Sequence, residues 1–188
     1  MRVLGIDPGS HRTGWGVVDC APGKLRHVAS GTLSAADAPL SQRLLTIAAG
    51  LDAVLVAHAP EVVAIESIFH AKNVKSALLL GHARGVALLF AAQHGLAIAE
   101  YAPAAIKKAL TGSGRADKTQ VQSMVHFLLG HDTGLELDAS DALAGAICHA
   151  QLAASPVAAK LESLVAGAGS RGRSSRWTMA DVKRRSAR

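Results

Sequence analysis

The sequence is poor in the residues that build zinc sites. Only two cysteines, Cys20 and Cys148, occur in 188 residues, and they lie too far apart to form a metal-ligand pair. The nine histidines also include no pair at the short spacing of a zinc site. These absences argue against a zinc-dependent fold, and such sparse cysteine usage favours a reducing cytoplasm as the location.

The chain also lacks a pattern typical of targeting or membrane segments. A charged residue, Arg2, precedes any long apolar run and no small-residue cleavage site follows, so no signal peptide is predicted. The longest uncharged stretch, residues 142–159, is mostly alanine and contains Gly145, His149 and Gln151. We therefore predict no membrane segment.

The excess of positive charge is confined to the C-terminal end. Residues 167–188 carry seven Lys and Arg against one Asp, whereas residues 1–166 carry thirteen basic and thirteen acidic residues. A length of 188 residues with 49% hydrophobic residues suits one compact domain with its own core. We predict a domain over residues 1–166 and a basic tail, 167–188, that is disordered in isolation.

Basic residues also cluster within the domain, between positions 72 and 118. That stretch holds seven Lys and Arg but only two acidic residues, Glu100 and Asp117. Such a local excess predicts a phosphate-binding surface. The seven residues are Lys72, Lys75, Arg84, Lys107, Lys108, Arg115 and Lys118.

Hydrophobic periodicity predicts an alternation of strands and helices. Apolar, β-prone segments occupy 2–6, 15–18, 25–33, 62–65 and 96–100. Helical spacing occupies 41–58, 74–93, 118–129 and 138–154, and Pro103 marks the first turn of a further helix. This alternation predicts an α/β fold, a mixed sheet flanked by helices.

Four acidic residues stand where this fold would bring them together. Asp7 and Glu66 end two predicted strands, and Asp138 and Asp141 are three residues apart at a predicted helix start. Carboxylates held together repel one another unless cations neutralise them. Two Mg²⁺ ions about 4 Å apart activate water and stabilise the leaving oxygen in phosphodiester hydrolysis. The four acids are therefore candidate metal ligands and catalytic residues.

Each acid also has a structural interpretation. Asp7 can begin a Pro-Gly turn and Glu66 can face solvent at a strand end. Asp138 and Asp141 can be an N-cap and a first-turn acid favoured by the helix dipole. All four nevertheless interrupt apolar segments with no basic partner beside them in the sequence, which favours the functional interpretation.

The same residues carry a resemblance to a known family. Residues 4–17, LGIDPGSHRTGWGV, closely resemble the opening of the RuvC Holliday-junction resolvases. Further matching segments follow in the family's order and spacing: AIESIF at 64–69, AKN at 71–73, GHARG at 81–85, KTQVQ at 118–122 and DASDALA at 138–144. The resemblance covers residues 3 to 152.

The resemblance implies a ribonuclease-H-like fold with a five-stranded mixed sheet flanked by helices. It implies a homodimer that makes paired, symmetric nicks in four-way junction DNA with Mg²⁺ or Mn²⁺, two ions per active site, and that works with a branch-migration motor of RuvA and RuvB. It assigns catalysis and metal binding to the four acids. The implied DNA contacts are Phe69, Lys72, Asn73, Lys107 and Lys118.

The sequence departs from the family pattern at Ala104, Ala105 and Lys108 and in the Arg-rich tail, which affects sequence preference rather than chemistry. Three other classes share single features with it. An actin-like ATPase or sugar kinase needs two domains and a second glycine-rich segment, which this chain lacks. A non-catalytic junction-binding protein needs basic patches but not four acids. A YqgF-like nuclease shares the opening motif but not the segment around Phe69.

The predicted helix 74–93 is apolar on nearly every side. A helix of this kind must be covered on every side, which a single sheet does not achieve. Gly81 and Gly85, four residues apart, would allow a second copy to approach closely. This pattern predicts an isologous dimer, with coverage by another part of the same chain as the alternative.

Overall fold

The structure is a computed structural model that describes residues 1–9, 11–34, 38–67, 74–130 and 134–154. Residues Met1–Ala154 form one compact unit. The predicted domain limit at residue 166 and the basic tail lie outside the described residues, as do the predicted DNA contacts Phe69, Lys72 and Asn73.

A five-stranded mixed sheet forms the centre of the fold. Its strands are β1 (Arg2–Asp7), β2 (Arg12–Ala21), β3 (Lys24–Ser34), β4 (Val62–Glu66) and β5 (Ala97–Tyr101). The spatial order is β3-β2-β1-β4-β5. Strands β1 to β3 pair antiparallel, and β1, β4 and β5 run parallel, which confirms the predicted meander and mixed sheet.

Five helices flank the sheet, at positions close to those predicted. They are α1 (Leu40–His58), α2 (Val74–Gln93), α3 (Pro103–Thr111), α4 (Lys118–Leu129) and α5 (Leu137–Ala153). Helix α4 starts with a reciprocal capping box between Asp117 and Gln120, which satisfies two backbone amides. Helix α5 has Glu136 at its N-cap, so Asp138 lies inside the first turn rather than at the cap.

The central strands β1 and β4 are buried on both faces, so the core has a layer of helices on each side of the sheet. Alternate strand residues such as Leu4 and Val63 pack with α1 and α2. Their neighbours Val3 and Val62 pack with α3, α4 and α5 on the other face. The two central parallel strands, β1 and β4, are consequently apolar over residues 3–6 and 62–65, up to the acid that ends each strand.

Helix α5 lies unusually close to β1 and β2 because glycines face it. A Cβ added at Gly5 would stand 1.9 Å from the Ala142 carbonyl oxygen, and one at Gly14 would stand 1.9 Å from that of Asp138. Both positions therefore exclude any side chain. This close approach sets the start of α5 directly over the carboxyl end of β1.

Two described helices, α1 and α2, are long and apolar enough to cross a bilayer by length and composition alone. Each has one side in the core, represented by Leu51 in α1 and Phe90 in α2. Core helices of globular folds often meet the same criterion, so the finding does not by itself indicate a membrane span.

Candidate active site

The sheet places Asp7 and Glu66 side by side. Strands β1 and β4 are parallel, and Ile6 is in register with Ile65, so the next residue of each strand emerges at the same edge. Asp7 ends β1 and Glu66 ends β4. The expectation that the two strands lie adjacent and parallel is therefore confirmed.

Helix α5 brings the other two acids to this edge. The contact of Gly14 with the Asp138 backbone fixes the first turn of the helix beside the end of β1. Asp141 lies about one turn further on the same side of the helix. It lines a cleft of about 210 Å³ together with Glu66, Lys107 and Lys118. The fold thus brings all four predicted acids to one end of the sheet.

Burial, and then the closeness of the other acids, raises the pKa of the two acids on the sheet. Burial, then the charges of Asp141 and Asp138, raises the pKa of Asp7 to about 6. Burial, then the charges of Asp7 and Asp141, raises the pKa of Glu66 to about 7, although Lys107 and Lys118 oppose the shift. Negative charge is therefore concentrated here beyond what the neighbouring cations neutralise.

These raised pKa values predict a pH-dependent stability of the metal-free protein. Asp7 and Glu66 in the folded protein retain protons that the unfolded chain has already lost. The free energy of unfolding therefore falls as pH rises toward 7. At about 1.4 kcal/mol per pKa unit, discounted for solvent screening, we expect a loss of about 2 kcal/mol between pH 5 and pH 8. Urea unfolding in EDTA at both pH values measures this difference.

The double variant Asp7→Asn, Glu66→Gln is the control for that measurement. Neither amide titrates, so the loss of stability from pH 5 to pH 8 should disappear, and His149, whose pKa burial lowers, then adds stability as pH rises. A loss of the same size in the double variant would assign the pH dependence to other groups.

Basic side chains pair with the two acids of α5, which the sequence did not suggest. The Arg12 Nε lies 2.7 Å from Asp138 Oδ2, and the Lys118 Nζ lies 2.7 Å from Asp141 Oδ2. The interpretation that no acid has a basic partner is therefore wrong for Asp138 and Asp141. The partners come from other elements, so only the folded arrangement brings them together.

The chemical type of the donors, though not their spacing in this arrangement, suits divalent metal ions of the magnesium class. Hard cations prefer carboxylate oxygens, and Asp7 and Glu66 present oxygens whose charge the protein only partly neutralises. Within the described ranges, no three His, Cys, Asp or Glu side chains stand close enough together to hold a metal ion. The ion pairs of Asp138 with Arg12 and of Asp141 with Lys118 occupy two of the four carboxylates in this arrangement.

A second cleft has a different character. It measures about 450 Å³ and lies at the opposite edge of the sheet, where Arg2, Asp19 and Glu61 line it. Arg2 Nε pairs with Asp19 at 2.6 Å, and the backbone amide of Arg2 donates to Glu61 at 2.7 Å. Because its charges already pair with one another, this cleft offers no comparable group of free carboxylates.

Comparison with known proteins identifies the family to which this site belongs. The family described as "Crossover junction endodeoxyribonuclease RuvC" matches residues 3–149. A protein of that name from Rhodopseudomonas palustris (strain TIE-1) is 52% identical over 151 residues, covering 80% of this chain and 87% of the relative. The chain belongs to the RuvC family. One of Parvibaculum lavamentivorans is 48% identical over 171 residues, covering 90% of this chain and 97% of the relative.

The fold agrees with that of solved RuvC structures. "T. thermophilus RuvC in complex with Holliday junction substrate" aligns with a TM-score of 0.77 at 34% identity, over 82% of this chain and 95% of that chain. The five-stranded mixed sheet and flanking helices are therefore the ribonuclease-H-like fold of the RuvC resolvases, as the resemblance implied.

Two of the DNA contacts implied by the RuvC resemblance lie at the acidic cleft. Lys107, on α3, faces Glu66 closely enough to oppose the rise in its pKa. Lys118, the first residue of α4, donates to Asp141, and this hydrogen bond raises the pKa of Lys118. The structure therefore places both lysines beside the acids, and Lys118 is already paired with Asp141.

Sequence reasoning missed several residues that support the site. Arg12 gives no sequence signal of its role, whereas the alternating glycines of β2 could have indicated close packing against a helix. A hydrogen bond of 2.7 Å between the Tyr101 hydroxyl and His149 Nδ1 joins the end of β5 to α5. The Tyr101 carbonyl also accepts from the Ser67 amide at 2.8 Å, which fixes the backbone next to Glu66.

Proposed function

We propose that this chain is a metal-dependent endonuclease that resolves four-way (Holliday) DNA junctions in recombination and DNA repair. It does so by paired, symmetric hydrolysis of phosphodiester bonds. The observation that carries the proposal is the meeting of Asp7, Glu66, Asp138 and Asp141 at one end of the sheet of a RuvC family member. The Thermus thermophilus relative, which was solved in complex with a Holliday junction substrate, supports the choice of DNA.

The proposed cofactor is Mg²⁺, with Mn²⁺ as a substitute and two ions per active site. Bound ions of this kind would activate the attacking water and stabilise the leaving oxygen. The four carboxylates would hold them and leave the remaining coordination positions to water and phosphate. The raised pKa values of Asp7 and Glu66 support this assignment, because burial and then mutual repulsion raise them, and a bound divalent cation would offset both effects.

The lysines beside the acids have a complementary role in this proposal. A DNA backbone that approaches four carboxylates meets repulsion unless cations lie nearby. Lys107 and Lys118 supply positive charge at the cleft, and each would bind a phosphate next to the reacting one. Phe69, Lys72 and Asn73 stay predicted DNA contacts, with Phe69 expected to stack on an unpaired base at the branch point.

The proposed assembly is a two-fold homodimer through α2. In the described chain this helix buries Ala83, Ala87 and Phe90 but leaves Leu78 60% exposed and Leu89 57% exposed. Gly81 and Gly85 are also exposed, with open space where a Cβ would stand. An exposed apolar face with small residues supports close packing of two copies.

We expect Leu78→Glu to convert the protein from a dimer to a monomer, because a carboxylate in a closely packed apolar interface is costly to bury. Sedimentation equilibrium at micromolar concentration measures the change against the 19.3 kDa chain mass. Phe127→Glu is the matched control, since Phe127 is 78% exposed on α4, which packs on the other face of the sheet. A wild-type species near 19.3 kDa that still cuts junctions would contradict the dimer.

The metal requirement is tested by separating binding from cutting. A labelled four-way junction is first bound in Ca²⁺, which tolerates looser coordination and should support binding but slow hydrolysis. Mg²⁺ is then added, and nicked product is followed on a denaturing gel. We expect cutting to start with Mg²⁺, and full cutting in EDTA would rule out the metal mechanism.

Two further expectations stay predictions. Sparse cysteine usage favours the cytoplasm as the location. The family resemblance implies a branch-migration motor of RuvA and RuvB as a partner, which a binding assay with purified components would test.

A further inference from the structure

Arg12 connects two acids at the start of α5. Its Nε lies 2.7 Å from Asp138 Oδ2, and its Nη2 lies 3.2 Å from Glu136 Oε2. Arg12 is the first residue of β2, and Glu136 is the N-cap residue of α5. One guanidinium therefore bridges a candidate metal ligand and a neighbouring carboxylate that has no role in the proposed chemistry.

The two acceptors differ in their surroundings. The Asp138 side chain is 31% exposed and belongs to the group of acids that raises the pKa of Asp7. The Glu136 side chain is 58% exposed, so it lies further out in solvent. Arg12 has five N–H donors in a planar fork and is 53% exposed, which leaves it free to shift between the two acids without breaking buried contacts.

We propose that Arg12 is an exchangeable counter-cation of the active site. In the metal-free protein it neutralises Asp138, and when a divalent cation binds, Arg12 releases Asp138 and stays paired with Glu136. The inference rests on the proposed role of Asp138 as a metal ligand. In this role Arg12 competes with the metal ion for Asp138 and does not hold Asp138 in place for the metal.

The competition follows from charge and geometry. A carboxylate oxygen that forms a 2.7 Å ion pair with a guanidinium is less available to a metal, and the two cations repel each other. Because the ion pair is half exposed, water screens this effect and keeps it modest. We expect Arg12 to weaken metal binding by about three- to tenfold, in line with the energies of partly exposed ion pairs.

Isothermal titration calorimetry of Mn²⁺ into the metal-free full chain tests the proposal. Arg12→Ala should bind Mn²⁺ about three- to tenfold more tightly than wild type. Arg26→Ala is the matched control, because Arg26 is also an exposed arginine paired with an aspartate, Asp19, but at the opposite edge of the sheet. Its affinity for Mn²⁺ should equal that of wild type.

Glu136 supplies a second, independent arm of the test. Glu136→Gln should weaken Mn²⁺ binding, because Arg12 then has no second carboxylate with which to pair when it releases Asp138. This effect should become smaller when Arg12 is already alanine, since the two substitutions act through one contact. Equal effects of Glu136→Gln in both backgrounds would mean that Glu136 acts only through its own charge and would overturn the exchange.

The outcomes separate this inference from the proposed function. Weaker or unchanged Mn²⁺ binding by Arg12→Ala would overturn the inference, provided that Asp7→Asn still loses binding as the metal site requires. Unchanged Mn²⁺ binding by Asp7→Asn would instead remove the metal assignment itself, and the inference with it. Circular dichroism of each variant confirms that a changed affinity does not reflect unfolding.

Discussion

Asp7→Asn is expected to lower the rate of junction cleavage at least about a thousandfold while leaving junction affinity unchanged or tighter. The amide keeps the shape of the side chain but loses the charge that would hold the metal. A metal contribution of about 4 kcal/mol to the transition state corresponds to about a thousandfold in rate. Binding persists because Lys107 and Lys118, not the acids, face the phosphates in the proposed complex.

The same substitution should stabilise the metal-free protein at pH 8. It removes a carboxylate whose pKa burial, and then the neighbouring acids, raise to about 6, so the free energy of unfolding should increase by about 1 kcal/mol. Glu66→Gln should act in the same direction on both rate and stability. Cleavage assays, gel shifts and urea unfolding in EDTA measure the three effects.

A remote carboxylate provides the matched control. Asp52 lies on α1, on the face of the sheet opposite α5, and pairs with His94 at 2.9 Å. Asp52→Asn makes the same chemical change and should leave cleavage near the wild-type rate. Near wild-type cutting by Asp7→Asn, or an equal loss in Asp52→Asn, would place the active site elsewhere.

Gly14→Ala is expected to abolish cleavage by displacing the backbone at the start of α5, without changing any charge at the site. Its Cβ would stand 1.9 Å from the Asp138 carbonyl oxygen and 2.4 Å from the carbonyl carbon, so the start of α5 must move. Overpacking of this kind costs about 1 to 3 kcal/mol, and here it also displaces Asp138 and Asp141 from the end of β1. Gly5→Ala meets the Ala142 backbone equally closely and should destabilise the fold at least as much.

Gly145→Ala is the control for both glycine variants. Gly145 lies in α5 itself, but a Cβ there would meet only the Ala64 carbonyl oxygen, at 3.9 Å. The substitution should leave cleavage intact and stabilise the helix by about 0.5 to 1 kcal/mol. Urea unfolding and junction cutting test the set, and wild-type behaviour of Gly14→Ala would show that α5 does not need this close approach.

Much of the fold could be predicted because local patterns and long-range structure agree in this chain. Apolar segments ending in Asp7 and Glu66 identify strands whose carboxyl ends share an edge, and the structure confirms their parallel register. Pro103 and Lys118, which the sequence predicts as helix starts, are the first residues of α3 and α4. These features depend on neighbours in sequence, so the sequence alone indicates them.

The partners of the acids could not be predicted, because they depend on which elements meet in space. Arg12 and Asp138 belong to β2 and α5, and no periodicity links them. The closeness of α5 to the sheet depends on Gly5 and Gly14 facing one helix, which requires the register of β1 and β2. The electrostatic balance of the site is therefore a property of tertiary packing.

Cleavage of a synthetic four-way junction tests the central claim most directly. The purified full chain is incubated with Mg²⁺ and a junction whose four strands are labelled in turn, beside a linear duplex of the same sequence. We predict nicks at symmetric positions in two opposing strands, and an uncut linear duplex. Equal cutting of the linear duplex, or nicks without two-fold symmetry, would contradict a junction resolvase.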